Sequence, residues 1–360
     1  MTTPIQYEHF DRPSQLSEQR RMFLECFPET MGKAAATVEY YNWKFASFPA
    51  DVASYEYCAR LDGRLAGYYA AIPYKYRIAG IERTAGMVCD VMTAPSARGK
   101  GLFTKLGVFA TGQMGMAGVD FTTGYPVRPE VIPGHLKAGW SIVAKMPVYV
   151  KLLSCNAILK KFKLGFLSFI ANGVLKIINK IADLLFSNNS EVKIMELDEV
   201  LNSSWYDEFF QAWAGTKTNV LLKSKDFLRW RLSAPDTNYK IVVARAPEGA
   251  VTGMCIVRVA DLKGICALAI LDIMLLPGHE NNFLALNRCL QEFARVSNAE
   301  IIATMIAPHL ARKYFLRSRL YIKSNQVFSL IIKDLTNPAI HETLSNADNW
   351  HTMWLDSDDL

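Results

Sequence analysis

A short loop with two glycines follows an apolar, strand-like run and precedes a helical pattern. Met87 to Thr93 forms the run, Pro95 ends it, and Arg98-Gly99-Lys100-Gly101 leads into a helix that starts near Leu102. Glycines in such a loop let the backbone turn tightly and approach a ligand, so that amides of the loop and of the helix N-terminus can point at one anion. The pattern therefore predicts a phosphate site, and we expect the anion to be a pyrophosphate.

The same residues resemble the cofactor loop of the GNAT acyltransferases, whose strand four ends in a pattern like V-x-P-x-x-R-G-x-G-I-G. Arg98, Gly99 and Gly101 match that loop. Phe103 stands where the family usually has Gly or Ala, and it resembles a branch built from two GNAT-like domains. The resemblance implies that the loop wraps the pyrophosphate of an acyl-coenzyme A co-substrate. The residues that it implies at the cofactor are Val91, Met92, Thr93, Arg98, Gly99, Lys100, Gly101, Leu102, Phe103 and Thr104.

Transfer of an acyl group from a thioester to an amine requires that the amine lose a proton, that the oxyanion be held, and that the thiolate gain a proton. Asp90 is the candidate base, because GNAT enzymes often carry an acid five residues before the proline of strand four. Alternatively, Asp90 serves the fold, since Asp272 stands at the same distance before Pro277. The family geometry implies backbone amides around Val91 to Thr93 at the thioester carbonyl.

His135 is the second catalytic candidate. The string from His135 through Gly139 to Trp140 stands where many GNAT enzymes have Tyr-x-x-x-Gly-Phe, whose tyrosine protonates the thiolate. Histidine titrates near neutral pH and could donate or accept that proton, although a structural histidine is the alternative. Three residues on the loop before this helix are expected to contact the acceptor, and exposed loop charge is the alternative for the last two. They are Tyr125, Arg128 and Glu130.

The chain contains an internal repeat. Stretches of the first half recur in order in the second half, at separations of 182, 187 and 181 residues. The matched positions are Asp90 with Asp272, Trp43 with Trp230, and Trp140 with Tyr321. A nearly constant separation indicates two copies of one fold. The second copy has Glu280 where the first has Arg98, and it lacks the paired glycines, so we expect the cofactor to bind to the first copy.

The repeat and the resemblance together predict the fold class and the domain boundaries. We expect an α/β protein with a mixed, mostly antiparallel sheet and helices on both faces, arranged as two tandem GNAT-like domains. Residues 1–150 would form the N-terminal domain that binds acyl-CoA, 151–190 a helical connector, and 191–360 a degenerate C-terminal domain. Fused copies can pack as an internal pseudo-dimer, so a monomer is expected.

Local patterns place the elements of the first copy. Helices are predicted at about residues 14–27 and 37–45 and strands at 53–60, 65–78 and 86–93, and the Asp62-Gly63 pair predicts a hairpin turn. After the loop we expect a helix to about residue 117, a strand at 120–124, a short helix at 133–138 and the last strands within 141–152.

The connector is rich in Leu, Ile, Phe and Lys, and its longest uncharged run, 164–175, is too short to span a bilayer. Its amphipathic, basic pattern suits a membrane surface. It is also typical of a helical hairpin that covers the domains with its apolar side. The run Ser187-Asn188-Asn189-Ser190 is predicted to be the loop that enters the second domain.

Composition excludes several classes of protein. With 360 residues, 51% of them apolar and 21% charged, the chain is typical of two globular domains. The net charge of +6 comes without a Lys/Arg run that would track nucleic acid, so no nucleic-acid partner is expected. The seven scattered cysteines lack CxxC pairs, which predicts reduced thiols, no metal site and a cytoplasmic protein. The polar N-terminus has no signal-peptide core, and no transmembrane segment is expected.

These observations predict an N-acyltransferase that moves an acyl group from acyl-CoA to the primary amine of a small hydrophilic acceptor. The branch that the sequence resembles includes bacterial enzymes that acylate nucleotide-linked amino sugars for surface polysaccharides, which implies that substrate class. The alternatives are an aminoglycoside- or polyamine-type N-acetyltransferase, a protein acetyltransferase, and a non-catalytic acyl-CoA sensor. The C-terminal run from Trp350 to Asp358 either packs on a domain or reaches the acceptor site.

Overall fold

The computed structural model of the chain describes residues 4–161, 163, 165–184, 190–336 and 340–358. The elements of the first copy are, in chain order, β1 (Gln6–His9), α1 (Arg12–Cys26), α2 (Val38–Ala46), β2 (Tyr55–Leu61), β3 (Arg64–Ile78), β4 (Ile81–Thr93), α3 (Leu102–Met116), β5 (Phe121–Gly124), α4 (Ile132–Lys137) and β6 (Ser141–Leu152). Next come α5 (Asn156–Lys161) and α6 (Ser168–Leu184). The elements of the second copy are β7 (Glu191–Met195), α7 (Leu197–Leu201), α8 (Trp205–Ala214), β8 (Asn219–Leu221), α9 (Lys225–Arg231), β9 (Tyr239–Arg245), β10 (Val251–Asp261), β11 (Cys266–Leu275), α10 (Phe283–Val296), β12 (Ile301–Met305), α11 (Pro308–Lys313), β13 (Ile322–Asp334), α12 (His341–Ser345) and β14 (Trp350–His351).

The chain forms two compact units, each assembled from several segments. Unit 1 comprises Met1–Ala144, Thr218–Asp236 and Ser329–Asn349. Unit 2 comprises Lys145–Lys217, Thr237–Phe328 and Trp350–Leu360. The contiguous boundaries predicted at residues 150 and 190 therefore do not describe the packing, because segments of the second half lie in unit 1.

The strands of unit 1 follow the order β1-β2-β3-β4-β5-β13, with β8 beside β3. All of these neighbours are antiparallel except β4 and β5, which run parallel from the pair Ala85–Phe121 to the pair Val88–Gly124. Unit 2 repeats this order as β7-β9-β10-β11-β12-β6, again with one parallel pair, β11 and β12. The mixed, mostly antiparallel sheet predicted from the sequence is confirmed.

Each unit takes the last strand of its sheet from the other half of the chain. In unit 1 the residues of β13 from Ile331 to Asp334 pair with β5. In unit 2 the residues of β6 from Val148 to Leu152 pair with β12. Because β6 and β13 are repeat equivalents, this exchange explains why contiguous domain boundaries fail.

Hairpin turns join β2, β3 and β4, which carry the core of unit 1. Asp62 and Gly63 both have positive φ, 52° and 74°, as the predicted turn requires. Ala79 and Gly80, with φ of 49° and 83°, make a second such turn that the sequence analysis missed. Strand β4 consequently begins at Ile81, earlier than predicted, because the second turn holds it against β3.

The C-terminal run packs within unit 2. Trp350, His351 and Trp354 are all buried, and Met353 pairs with Ile306 through a β-bridge. His351 Nε2 and Asp272 Oδ1 form a hydrogen bond, with 3.1 Å between the two atoms. The packed terminus, one of two alternatives for this run, is therefore the one that the structure shows.

The connector forms helices α5 and α6, with its predicted apolar run, 164–175, lying mostly within α6. Residue 164 and the predicted loop residues 187–189 lie outside the described residues. The apolar side of α6 faces solvent, which contradicts the expectation that it covers the domains. Within the described residues, none of the helices has the length and hydropathy needed to cross a membrane.

Candidate active site

The glycine loop has the backbone conformation that an anion site needs. Gly99 and Gly101 have φ of 78° and 71°, the left-handed region that glycine adopts without strain. Gly101 is the N-cap of α3, and its carbonyl accepts a hydrogen bond from Lys105 N at 3.2 Å. The N–H groups of Leu102 to Thr104 precede that first bond and so have no acceptor within the helix. They point outward from the positive end of a helix of 15 residues.

Among the residues that the structure describes, no side chain caps the amides in the first turn of α3. The N-cap makes no side-chain hydrogen bond, and the first turn carries no acidic residue. Arg98 and Lys100 add exposed positive charge beside the amides. The site therefore favours a ligand with negative charge.

A gap opens beside the end of strand β4. Strand β5 ends at Gly124, where it pairs with Val88, whereas β4 continues to Thr93. The pairing of β4 with β3 also shifts between Cys89 and Met92, so β4 carries a bulge there. The last residues of β4 therefore have backbone without a partner in β5, as a thioester carbonyl site would require.

A cavity of about 670 Å³ joins the glycine loop to the end of β4. Ten residues that the sequence analysis placed at the cofactor or acceptor line it together. They are Val91, Met92, Thr93, Arg98, Gly99, Gly101, Leu102, Phe103, Arg128 and Glu130. Lys100, Thr104 and Tyr125 do not line it, and Tyr125 is buried.

Four lining residues were not predicted. Cys26 and Phe27 come from the end of α1, and Ala97 and Val131 from the turns beside the predicted sites. No motif marks Cys26 or Phe27, since only the packing of α1 brings them to β4. Cys26 Sγ donates to the Thr93 carbonyl at 3.5 Å, and burial raises the pKa of this thiol, so that it stays protonated.

The cavity wall fits an acyl-CoA thioester in one specific respect. The Thr93 hydroxyl is buried and has no hydrogen-bond partner among the residues that the structure describes. A buried hydroxyl without a partner loses free energy that a ligand oxygen or amide can restore. Thr93 lies at the end of β4, between the glycine loop and the bulge.

Phe103, at the position where glycine or alanine is usual, contacts both Gly134 and His135. Its ring lies over Gly134 of α4, where an added Cβ would be only 2.6 Å from Phe103 Cδ1. Behind it, the His135 ring meets Phe103 edge to face at 5.0 Å and Trp140 at 5.1 Å. His135 is buried and does not line the cavity. Burial lowers the pKa of its imidazole to about 4, so the ring is neutral at neutral pH.

Asp90 is engaged by a lysine. Its Oδ1 accepts from Lys44 Nζ of α2 at 2.9 Å, and both side chains are largely buried. Asp90 has a φ of 48° at the β4 bulge and does not line the cavity. In unit 2 its equivalent, Asp272, is fully buried and bonded to His351. Both acids therefore bond to a basic residue of their own unit, which favours the structural alternative for Asp90.

Arg128 and Glu130 do reach the cavity, although they are exposed. The Arg128 guanidinium pairs with Glu29, lies 4.7 Å from the Phe27 ring centroid and donates to the Cys26 carbonyl at 3.4 Å. These contacts hold a cation at the wall of the cavity. Glu130 supplies a carboxylate beside it.

The equivalent helix of unit 2 cannot offer the same site. The first turn of α10, from Phe283 to Leu286, is buried by protein. Its N-cap, Asn282, is buried too, and its side chain bonds to Thr252 and Ser190. Glu280 pairs with Lys313 at 3.6 Å. These contacts are consistent with the prediction that the second copy lacks a phosphate site.

All seven cysteines are free, as expected. Among the described residues, no cluster of three or more His, Cys, Asp or Glu side chains is arranged to hold a metal ion.

Comparison with known proteins finds one family model that is similar to part of the chain. Residues 12–143 match the model of the acetyltransferase (GNAT) domain. No curated protein sequence matches the chain closely enough to count as a relative.

Solved structures share the fold over nearly the whole chain. A GCN5-related N-acetyltransferase from Anabaena variabilis has 12% identity and a TM-score of 0.66, over 92% of this chain and 73% of that one. A probable N-acyltransferase from Enterococcus faecalis has 11% identity and a TM-score of 0.64, over the same shares. Saccharomyces cerevisiae N-myristoyltransferase has 11% identity and a TM-score of 0.61, over 100% of this chain and 87% of that one.

Proposed function

We propose that this chain, whose residues 12–143 match the acetyltransferase (GNAT) domain, is an acyl-CoA-dependent N-acyltransferase that acylates the primary amine of a nucleotide-linked amino sugar. The observation that carries the proposal is the glycine loop from Arg98 to Leu102, which opens directly onto the cavity beside β4. A loop that binds a pyrophosphate and a strand end that binds a thioester then share one cavity. Arg128 and Glu130 line the same cavity and would contact the acceptor.

In this proposal the cofactor follows the wall of the cavity. Its pyrophosphate accepts hydrogen bonds from the amides of residues 99–104, and its thioester lies beside Val91 to Thr93. The hydroxyl of Thr93 gains a ligand partner there. The yeast N-myristoyltransferase with the same fold was solved with bound myristoyl-CoA, which supports an acyl-CoA in this arrangement.

The acceptor would contact one cationic and one anionic side chain, Arg128 and Glu130. Guanidinium groups form strong, often bidentate hydrogen bonds with phosphates, so Arg128 suits the phosphates of a nucleotide. Glu130 suits the ammonium of an amino sugar. A polyamine, which carries no anion, would use Glu130 but not Arg128.

The reaction transfers the acyl group directly. The amine nitrogen forms a bond to the thioester carbon, the carbon–sulfur bond breaks, and the CoA thiolate takes up a proton from solvent. Asp90 is held by Lys44 and His135 lies behind Phe103, so the amine proton passes to solvent or to Glu130. Glu130 is the acid on the cavity wall within the described part of the chain.

A thiol-release assay with acetyl-CoA and a panel of amines tests this proposal. We expect the highest kcat/KM with dTDP- or UDP-amino sugars, and a lower value with the same amino sugar lacking its nucleotide. Arg128→Gln should reduce that preference, whereas Arg77→Gln, a change outside the cavity lining, should keep it.

If only polyamines or aminoglycosides are acylated, the acceptor belongs to one of those classes and is not a nucleotide-linked amino sugar. Tight acyl-CoA binding without thiol release for any amine would favour the sensor.

A further inference from the structure

Helix α6 presents an apolar face to solvent. Phe169, Ile170 and Ile177 are 88%, 66% and 61% exposed, and Val174 and Ile181 are about half exposed. Soluble proteins rarely expose contiguous apolar patches of this kind unless the patch binds something. No part of the proposed acyl transfer uses this helix.

The polar face of the same helix is the one attached to the protein. Asn172 Oδ1 accepts from Cys155 N at 2.8 Å, and Asn172 Nδ2 donates to Asn156 at 2.8 Å. About two turns further along α6, the buried Asn179 donates a hydrogen bond to the carbonyl of Leu152 at 3.1 Å. Seven residues separate the two asparagines, so they share one face of the helix.

Four of the five exposed side chains lie opposite those asparagines, and Phe169 lies at the N-terminal end of the helix. At about 100° per residue, Ile170, Val174 and Ile181 fall within about 20° of the direction directly away from Asn172. Ile177 lies beside them. In α6 the apolar side is exposed and the polar side contacts the protein, which is the reverse of an ordinary surface helix.

The connector carries positive charge. Between residues 151 and 190 the sequence has six lysines and one acid, Asp183, and Lys151 is buried. Lys160 and Lys163, which precede α6, and Lys176 within it are exposed. Long lysine side chains can extend their ammonium groups past an apolar layer to anionic groups.

We propose that the α6 face, defined by Phe169, Ile170, Val174, Ile177 and Ile181, binds the surface of a membrane that contains anionic lipids. An exposed apolar helix face in a segment rich in lysine is typical of helices that lie in a bilayer interface. The helix has 17 residues and is not suited to spanning. Anionic head groups attract lysines at a membrane surface, so this binding needs no partner protein. The proposal is independent of the acceptor proposed above.

Sedimentation of the full chain with lipid vesicles tests this proposal. We expect binding to vesicles of phosphatidylcholine mixed with phosphatidylglycerol, weaker binding to phosphatidylcholine alone, and release at high salt, because screening weakens the attraction. Ile177→Glu should abolish binding, and Lys163→Glu should weaken it on anionic vesicles.

Val296→Glu is the matched control, since Val296 is also an exposed apolar residue on a helix, at 82%. It should bind as the unchanged protein does. All variants should keep their circular dichroism, melting temperature and acyl transfer in solution, so that a folding defect is recognised.

Absence of vesicle binding by the unchanged protein would overturn the proposal. Sedimentation velocity distinguishes the other occupant: a dimer that Ile177→Glu dissociates, without vesicle binding, would show that a second copy of the chain covers this face instead.

Discussion

The indoles of Trp43 and Trp230 each donate a hydrogen bond to the backbone carbonyl of the other residue. The distances are 2.7 Å from Trp43 Nε1 and 2.8 Å from Trp230 Nε1, and the rings stack at 5.3 Å with 10° between their planes. These tryptophans are equivalent positions of the sequence repeat, on α2 and α9. The reciprocal contact attaches the segment Thr218–Asp236 to the rest of unit 1.

We expect Trp230→Phe to lower the free energy of unfolding by about 1–2 kcal/mol, because the phenyl ring keeps the stack but leaves the Trp43 carbonyl without its donor. Trp43→Phe should have a similar effect. Chemical denaturation of both single variants and the double variant measures the coupling, which should differ clearly from zero. Trp205→Phe, outside this pair, gives the background effect, and fully additive losses would contradict the coupling.

Two glycine substitutions should separate the effect of backbone strain on stability from the effect of the glycine loop on cofactor affinity. Gly101→Ala and Gly278→Ala both introduce a side chain at a positive φ, of 71° and 81°. Each should cost about 1 kcal/mol of stability. Calorimetric titration of CoA should show weaker binding in the Gly101 variant and unchanged binding in the Gly278 variant.

Charge reversal at the same loop should weaken CoA binding further. Arg98→Glu should raise the Kd for CoA by at least about tenfold, the equivalent of one charge-assisted contact. Glu280→Gln, at the equivalent position of the second copy, should leave the Kd unchanged. Equal affinity in the Arg98→Glu protein would contradict the location of the site in unit 1.

His135 is expected to act through Phe103, as a positioning residue. His135→Ala should then raise the KM for acyl-CoA more than it lowers kcat, because the ring of Phe103 loses its support. Gly134→Ala displaces the same ring without touching the imidazole, so it should give the same kinetic pattern. A kcat lower by roughly 10²–10⁴-fold in His135→Ala alone would instead indicate a proton donor.

Stability should fall in mild acid because His135 is buried as a neutral ring. Its pKa is about 4 in the folded protein against about 6.5 in an unfolded chain. The unfolded state therefore takes up the proton first. The contribution is fully present above pH 6.5 and is lost as the pH falls toward 4, by about 3 kcal/mol at most.

His135→Gln removes this titrating group and should flatten the dependence in that interval. Denaturation at several pH values measures the effect, with His9→Gln, at an exposed position, as the control. An unchanged slope in His135→Gln would refute the assignment.

The ion pair of Asp90 and Lys44 should matter for folding more than for chemistry. Asp90→Asn removes the carboxylate that pairs with the largely buried ammonium of Lys44, which should cost about 3 kcal/mol. The double variant Lys44→Met with Asp90→Asn should recover part of that loss. Folded Asp90→Asn should retain kcat, and a large fall in kcat with normal stability would restore Asp90 as the base.

The sequence by itself determined the local features of this protein. The turn at Asp62-Gly63 and the glycine loop before α3 depend on backbone preferences of a few adjacent residues, and the mixed sheet follows from alternating strand and helix patterns. The charge of a residue is also read directly from the sequence: Glu280 in place of Arg98 predicts that the second copy lacks the phosphate site.

Only the tertiary structure decided which distant residues meet. The packing of α1 brings Cys26 to Thr93, and burial behind Phe103 makes His135 neutral, although its type alone suggested an acid or base. The exchange of β6 and β13 depends on which strand edge each one reaches, a long-range choice that no local pattern encodes. The outward face of α6 is another such case, because the periodicity of an amphipathic helix is the same whichever side packs against the protein.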